Sequence, residues 1–228
     1  MQKDIWEKEY RENKHLPSSR TTRPSKAVSW FVENYIETKK IRPQKALDIG
    51  SGLGRNSIYL AKLGLAVDGI DIVRDAVKKA KEEAVKAKVG DFVLFYEQSA
   101  GEVLPFENAS FDLIVDMMTM HTLDPEERAI YAENVVRLLR PDGHFLFYTI
   151  DAESPDAQEL FNTSPGPEPN SYVVPQVGAI EKAFSQAELI QLFSPLEAVE
   201  LVVRKESVPA FEGVYDRQFL LGLMRKNI

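Results

Sequence analysis

The sequence contains no cysteine in any of its 228 residues, which excludes disulfide bonds, thiolate zinc sites and a cysteine nucleophile. Histidine is nearly as scarce. The three histidines, His15, His121 and His144, lie far apart, and the acidic residues are scattered, so no spacing typical of zinc ligands is present. We therefore predict that the protein binds no metal.

Long apolar runs and an excess of positive charge are also lacking. No segment has the apolar length that a membrane span needs, and the N-terminal stretch MQKDIWEKEYRENK is too charged for a signal peptide. The 28 basic residues against 35 acidic ones give a net charge of −7, which argues against a broad surface for DNA, tRNA or anionic lipid. We expect a soluble cytoplasmic protein, monomeric or homodimeric, without DNA or membrane partners.

The apolar residues suffice for a core, since 44% of the chain is hydrophobic and 10% aromatic, and the length fits one domain. Short apolar runs alternate with helical patterns between residues 26 and 150, which predicts βαβ units and a mainly parallel sheet. Five prolines between residues 155 and 175 argue against a helix or a central strand there. The last apolar runs, EAVELVVRKE and DRQFLLGLMRK, predict two closing strands at an antiparallel edge.

Two helix starts carry a sequence signal of their own. Asp124 and Glu127, and again Ser185 and Glu188, have the spacing of a capping box, in which each side chain of the pair accepts a backbone N–H of the first turn. We therefore predict helices that begin directly after Asp124 and after Ser185.

A turn with three glycines is the first candidate for a ligand site. The stretch ALDIGSGLGRNSIYLA, residues 46–61, places Gly50, Gly52 and Gly54 after an apolar strand and before a helix. Glycine there lets the backbone adopt positive φ and lets a ligand approach closely, and in open α/β sheets the first such turn usually contacts a nucleotide. A tight turn without a ligand is the plain alternative.

Two phosphate-binding interpretations fit this turn poorly. A P-loop requires a lysine followed by serine or threonine after its second glycine, but residues 55–57 are Arg-Asn-Ser. The dinucleotide motif is Gly-x-Gly-x-x-Gly, whereas the spacing here is Gly-x-Gly-x-Gly. The first interpretation fails and the second is weakened.

S-adenosylmethionine is the third interpretation. Asp48 lies just before the glycines, where a carboxylate can meet the cationic amino group of a methionine. Asp71 ends the second predicted strand, where an acid accepts the two ribose hydroxyls that NAD and S-adenosylmethionine share. S-adenosylmethionine carries no phosphate, so it needs glycines for close approach but no third glycine at the helix for a pyrophosphate. The spacing therefore favours it.

The motifs that follow extend this interpretation to a family. The segments that resemble successive motifs of the class I S-adenosylmethionine-dependent methyltransferases are LDIGSGLGRNSIYLA, GIDI, LPFENASFDLIVDMMTMHTL and RLLRPDGHFLFY. They span about residues 45–150 in the expected order. The ending GRNSIYLA and the segment WEKEYRENKHLPSSRTTRPS are similar to the small-molecule branch of tellurite-resistance and thiopurine type. The resemblance implies a doubly wound, Rossmann-like, mainly parallel seven-stranded sheet with an antiparallel last strand.

The resemblance implies S-adenosylmethionine as cofactor and S-adenosylhomocysteine as product. The cofactor contacts it implies are Asp48, Gly50, Ser51, Gly52, Gly54, Asn56, Asp71, Ile72, Ser99, Ala100, Gly101, Asp116, Met117 and Met118. Ala100 departs from the family, which commonly has an aspartate there to accept from the adenine amino group. The backbone, Gln98 or Glu102 must supply that contact, or it is missing.

Catalytic candidates lie in DMMTMHTL, at the end of the fourth predicted strand. By resemblance, Asp116 lines the methyl-donor pocket, and His121 is the best-placed base or acceptor-orienting residue, with a buried histidine under the following loop as its alternative. The methionines give an apolar wall suited to a sulfonium. Asp151 and Glu153 could mimic a magnesium site, although acids after a strand are ordinary loop residues. Residues expected to form a lid or contact the substrate are Trp6, Tyr10, His15 and Tyr172.

We predict a single methyltransferase domain over residues 1–228 that methylates a small-molecule acceptor. Methylation of a tRNA nucleoside or a protein side chain is the alternative, for which only scattered basic residues such as Arg20, Arg23 and Lys26 are available. A non-catalytic S-adenosylmethionine-binding module also stays open. The expected cap segment, cofactor-binding core, substrate-side insertion and closing helix with strands occupy residues 1–25, 26–150, 151–184 and 185–228.

Overall fold

One seven-stranded sheet forms the centre of the computed structural model, which describes residues 2–12, 21–210 and 213–227. Its strands follow the order β3-β2-β1-β4-β5-β9-β8, and β6 and β7 form a separate hairpin. The strands in chain order are β1 (Lys45–Ile49), β2 (Ala66–Asp71), β3 (Val93–Glu97), β4 (Phe111–Met117), β5 (Leu139–Ile150), β6 (Ser171–Val173), β7 (Ile180–Lys182), β8 (Leu196–Ala210) and β9 (Gly213–Lys226).

The pairing confirms the predicted fold class. Strands β1 to β5 pair in parallel, and β9 runs antiparallel to both of its neighbours, β5 and β8. The last strand of the chain is therefore the one that opposes the rest, and the strand order reverses between β1 and β4. In open sheets of this type, ligands bind beyond the carboxyl ends of the strands at that reversal.

Helices cover both faces of the sheet, which is why its central strands are apolar on both sides. The helices are α1 (Lys3–Glu12), α2 (Lys26–Phe31, continued by a π-helical turn, Val32–Ile36), α3 (Arg55–Lys62), α4 (Arg74–Lys86), α5 (Pro125–Leu138), α6 (Pro155–Thr163) and α7 (Gln186–Leu192). One buried apolar cluster lies under α2, α3 and α4, and a second lies under α5 and α7. No helix in the described ranges is both long and apolar enough to cross a membrane.

Both predicted capping boxes are present. Asp124 and Glu127 accept each other's backbone N–H groups at the start of α5, and Ser185 and Glu188 do the same at α7. The first box fixes the point at which the chain leaves the end of β4 and enters α5, a short 3₁₀ turn (Met120–Thr122) lying between them.

The expectation that residues 155–175 hold no helix is wrong. Pro155 is in the first turn of α6, where its missing N–H is not required, and the other prolines of the segment follow the helix end. The chain then returns as the β6–β7 hairpin, in which Tyr172 pairs with Glu181. Asp151, considered above as a magnesium ligand, is buried and accepts the Glu153 N–H at 3.0 Å.

Gly222 is required by close packing between β9 and β5. It pairs directly with Phe147, and a Cβ at Gly222 would overlap the Phe147 ring, which is fully buried. We predict that Gly222→Ala lowers the free energy of unfolding by about 1–3 kcal/mol, since overpacking a core has that cost. Gly90→Ala is the control, because the nearest atom to its Cβ lies 3.6 Å away. Urea unfolding measures both, and equal stability of the two variants would contradict this account.

Candidate functional site

A cleft opens at the carboxyl ends of β1, β2 and β4, where the strand order reverses. Its walls come from the glycine turn at residues 50–53, from residues 70–72 and 98–100 after β2 and β3, and from the turn 117–123 after β4. Helix α1 covers it. The empty volume is about 1350 Å³ with the open mouth included.

All three glycines of the turn have positive φ, between 54° and 79°. A Cβ at Gly50 would overlap Thr119, and one at Gly52 would lie 2.5 Å from the Tyr10 hydroxyl, so these two glycines allow neighbouring elements to approach the turn. Gly54 does not line the cleft, since its Cβ would meet the Phe95 ring inside the core. The predicted ligand contact at Gly54 is replaced by packing of α3 on the sheet.

Asp71 fixes the glycine turn to the end of β2. Its two carboxylate oxygens accept the backbone N–H groups of Gly52 and Val73, at 2.8 and 2.9 Å. Burial raises the pKa of Asp71 to about 6, although both hydrogen bonds favour the ionised form. Asp71 and its neighbour Ile72 line the cleft, as predicted.

Asp48 is placed differently from the prediction. It does not line the cleft but is buried below the turn, where the Ser57 hydroxyl donates to its carboxylate at 2.5 Å. Burial raises the pKa of Asp48 to about 7, and the hydrogen bond from Ser57 and the charge of Arg55 oppose this shift. The carboxylate therefore anchors the first turn of α3 instead of facing a ligand.

Asp116, predicted to be catalytic and to contact the cofactor, also lies outside the cleft lining and is fully buried. Its carboxylate accepts from the backbone N–H groups of Thr119 and Met120, at 2.7 and 3.0 Å, and from the Tyr131 hydroxyl at 2.6 Å. Burial raises the pKa of Asp116 to about 6. Its role is to hold the turn after β4, which carries His121.

Gln2, just before helix α1, and Lys3, its first residue, form hydrogen bonds to both sides of the cleft. The Gln2 amide donates to the carbonyls of Thr122 and Ile180, at 2.9 and 2.7 Å, and accepts the Ile180 N–H at 2.5 Å. Lys3 donates to Glu97, at the end of β3, at 3.2 Å. The cleft is therefore closed from above by a helix that contacts the edges on both sides.

Trp6 and Tyr10 both line the cleft from α1, as their spacing of four residues on one helix face predicts. Burial and the charges of Asp71 and Glu9 raise the pKa of the Tyr10 hydroxyl well above its ordinary value, so it stays protonated. His15, the third residue predicted for this segment, lies outside the described residues.

Among the residues predicted to contact the adenine or the methyl-donor part of the cofactor, some line the cleft and others are buried in the core. Those that line the cleft are Gly50, Ser51, Gly52, Asn56, Ser99, Ala100, Met117 and Met118. Gly101 does not, because its backbone packs against Glu127, and Met120 is buried in the core beneath α5. Gln98, raised as a substitute for the missing aspartate, lines the cleft and donates to Glu102 at 3.0 Å.

His121 lines the cleft and is 3% exposed. Its Nε2 is 3.6 Å from a carboxylate oxygen of Glu181, and its Nδ1 has no hydrogen-bond partner in the part of the chain that the structure describes. Glu181, from β7, and Arg217, from β9, line the cleft beside it. Sequence reasoning missed both, since neither lies in a motif and they are 36 residues apart.

Tyr172, predicted as a wall residue, does not line the cleft. Its ring is fully buried behind Glu181, and its hydroxyl donates to the second carboxylate oxygen of Glu181 at 2.6 Å. Burial and the charge of Glu181 raise the pKa of this hydroxyl well above its ordinary value. Tyr172 therefore contacts a cleft residue instead of a ligand.

A family model described as a methyltransferase domain matches residues 47–147, which hold the glycine turn, Asp71 and His121. Residues 47–147 thus match a methyltransferase domain, and the fold is the one found in solved S-adenosylmethionine-dependent methyltransferases. An uncharacterized methyltransferase of Synechocystis is 32% identical to the chain over 126 residues, which are 55% of each protein. The chain thus spans about half the length of the curated relatives it matches.

Solved methyltransferases share the fold beyond the matched segment. A methyltransferase of Methanosarcina mazei superposes with a TM-score of 0.72 at 23% identity, covering 85% of this chain and 98% of its own. The 1,6-didemethyltoxoflavin-N1-methyltransferase of Burkholderia thailandensis, solved with its substrate and S-adenosylhomocysteine, superposes with a TM-score of 0.70 at 19% identity. It covers 99% of this chain, with 87% of its own length matched.

The cleft of this methyltransferase domain fits the cofactor of its family. The Ser51 hydroxyl is buried in the cleft lining without a hydrogen-bond partner among the described residues, so it is available to a ligand. Gly50 and Gly52 line the cleft, and Met117 and Met118 give a polarizable apolar surface that suits a sulfonium. The residues present therefore match the polar and apolar parts of S-adenosylmethionine.

The buried Asp48 makes the stability of the methyltransferase domain depend on pH. The pKa of Asp48 is about 7 in the folded protein and 3.8 ordinarily. Between about pH 4 and pH 7 the carboxyl is therefore ionised in the unfolded chain but still protonated in the folded protein, so the free energy of unfolding falls as the pH rises. Asp48→Asn cannot titrate. We predict that between pH 5 and 7.5 its free energy of unfolding falls by about 2 kcal/mol less than that of the wild type. Urea unfolding at the two pH values measures this, with the exposed Asp75→Asn as control. Parallel wild-type and Asp48→Asn profiles would show that Asp48 titrates normally.

Proposed function

We propose that the protein transfers a methyl group from S-adenosylmethionine to a small-molecule acceptor. The observation that supports this best is the cleft under α1, which two different sets of residues line. One set is the glycine turn with Asp71, and the other is the buried side chains His121, Glu181 and Arg217. A covered cleft suits an acceptor that enters whole, and the Burkholderia neighbour is named for methylating a small molecule.

The residues that would hold the cofactor follow from the family roles and the observed geometry. Asp71 would accept the ribose hydroxyls, because each of its oxygens accepts one backbone N–H and retains a lone pair. Ile72 and Ala100 would flank the adenine. The Gln98 amide oxygen would take the place of the family's aspartate as acceptor from the adenine amino group, since its NH₂ group already donates to Glu102.

The cofactor supplies an electrophilic methyl carbon, so the chain's own residues mainly bind, align and exclude water. Helix α1 covers the cleft with Trp6 and Tyr10, and Gln2 bridges it to the turn that carries His121 through Thr122. Alignment of this kind can supply much of the rate enhancement of a displacement reaction.

The alternative acceptors have less support from the described surface. A tRNA or protein substrate would need a basic groove beside the cleft, but Lys26 does not line the cleft and pairs with Glu206, on the edge strand β8, at 2.9 Å. Arg20 lies outside the described residues. The net charge of −7 opposes a polyanion in general.

Cofactor binding is tested by calorimetric titration with S-adenosylmethionine, S-adenosylhomocysteine and NADH. We predict binding of the first two, none of NADH, and at least a tenfold loss for Asp71→Ala, which removes both the ribose contact and the anchor of Gly52. Asp75→Ala, an exposed acid on α4, is the matched control, and thermal unfolding shows whether each variant is folded. Binding of NADH alone would overturn the interpretation of the glycine turn.

The acceptor class is tested with tritiated S-adenosylmethionine and a cell extract divided into low-molecular-weight, tRNA and protein fractions. We predict that the label enters the low-molecular-weight fraction only. Label in tRNA or in protein would replace the small-molecule proposal with the corresponding alternative. Cofactor binding with no label in any fraction would support a non-catalytic binding module.

A further inference from the structure

A cluster of charged and polar side chains lies around His121, Glu181 and Arg217. We call this part of the cleft its acceptor end. Glu181 lies at its centre, 6% exposed, between His121 and Arg217. The Tyr172 hydroxyl donates to Glu181 from behind, and Arg217 in turn donates to Asp156. The five residues come from the turn after β4, from α6, from the β6–β7 hairpin and from β9, so no single element produces the cluster.

The two carboxylate oxygens of Glu181 have separate neighbours. Oε2 accepts from Tyr172 at 2.6 Å and lies 3.9 Å from the Arg217 guanidinium, while Oε1 lies 3.6 Å from His121 Nε2. With Oε2 held, the side chain cannot rotate without breaking the bond to Tyr172. Oε1 is therefore kept facing the imidazole, and hydrogen bonds of this kind are often long in unliganded sites and shorten in the complex.

Glu181 keeps its negative charge in spite of burial. Burial alone would raise the pKa of Glu181, but the neighbouring His121, Arg217 and Tyr172 outweigh it and hold the pKa below its ordinary value. Asp116 also interacts with His121 electrostatically, but its carboxylate oxygens already accept hydrogen bonds from three donors. The carboxylate that His121 can contact directly is therefore that of Glu181.

His121 Nδ1 is the unused polar atom of the cluster. It is buried without a hydrogen-bond partner in the described ranges, on a side chain that lines the cleft. An unpaired buried polar atom is unfavourable, and a ligand that donates to it would remove that penalty. When Nε2 carries the proton beside Glu181, Nδ1 has a free lone pair and accepts an O–H or N–H.

We propose that Glu181 positions His121 as the general base for an acceptor that arrives protonated, as a hydroxyl or N–H group. This rests on the proposed function and narrows its substrate class, excluding thioethers, tertiary amines and anions, which need no base. The acceptor's proton passes to Nδ1, the electron pair it leaves forms the bond to the methyl carbon, and the electron pair of the carbon–sulfur bond stays on sulfur. Glu181 stabilises the imidazolium that results, and Tyr172 and Arg217 keep Glu181 in place.

Histidine NMR tests the pairing without any acceptor. The full chain has three histidines, so ¹⁵N-labelled imidazole spectra are resolvable, and His121→Gln identifies the His121 signals. We expect the wild type to hold the Nε2–H tautomer at neutral pH, and Glu181→Gln to lower the fraction of that tautomer, because it removes the negative charge that keeps the proton on Nε2. An Nδ1–H tautomer in the wild type, or an unchanged tautomer ratio in Glu181→Gln, would overturn the proposal.

Two controls separate this effect from general disturbance of the cluster. The exposed Asp75→Asn on α4 leaves Glu181 and its partners unchanged, so it should not alter the His121 tautomer. His144, on β5 beside Asp142 and Arg225, should titrate identically in every variant. Titration with S-adenosylhomocysteine shows whether Glu181→Gln keeps a formed cleft, and the wild-type tautomer remains decisive if it does not fold.

The rate with the labelled acceptor fraction gives a second readout. His121→Gln should lower the rate by about 100-fold or more, as loss of a general base does. Glu181→Gln should lower it less and move the rise of the rate–pH profile to lower pH, which a purely structural role would not do. Failure of all methyl transfer together with the expected NMR result would reject the proposed function and leave the His121–Glu181 pairing standing.

Discussion

The Asp116 carboxylate determines the geometry of the whole acceptor end. It is fully buried at the end of β4 and accepts from Thr119, Met120 and the Tyr131 hydroxyl, which ties the strand, the following turn and α5 together. Thr119, held in this way, donates to the Ile49 carbonyl and packs against Gly50, so the same turn also contacts the glycine turn. A change at Asp116 would therefore move both ends of the cleft together.

Three parallel strands end in buried carboxylates that have similar structural roles. Asp48, Asp71 and Asp116 lie at the ends of β1, β2 and β4, and each accepts a hydrogen bond from the turn or helix that leaves its strand. Burial raises the pKa of all three, so this arrangement costs stability near neutral pH. Only Asp71 also faces the cleft, which separates its role from that of the other two.

Sequence reasoning reached the fold and the cofactor end because both depend on local patterns. Alternating strand and helix periods predict a parallel sheet, and a glycine turn after a strand predicts a ligand at its end. It could not tell which acids point into the cleft, since successive side chains of a strand point to opposite faces and a shift of one residue changes the answer. Asp48 and Asp116 were misplaced for that reason, and α6 was missed because a proline in the first turn of a helix looks like a helix breaker.

The acceptor end shows a different limit, because most of it lies outside residues 47–147. His121 belongs to the matched segment, but Glu181, Arg217, Tyr172 and the residues of α1 come from before or after it. Contacts over such distances have no periodicity that a sequence could display, and they form only once β7 and β9 are in place. The family match therefore covers the glycine turn and His121, while α1, β7 and β9 lie outside it. Under the proposed function, the acceptor is selected mainly by residues that the family model does not include.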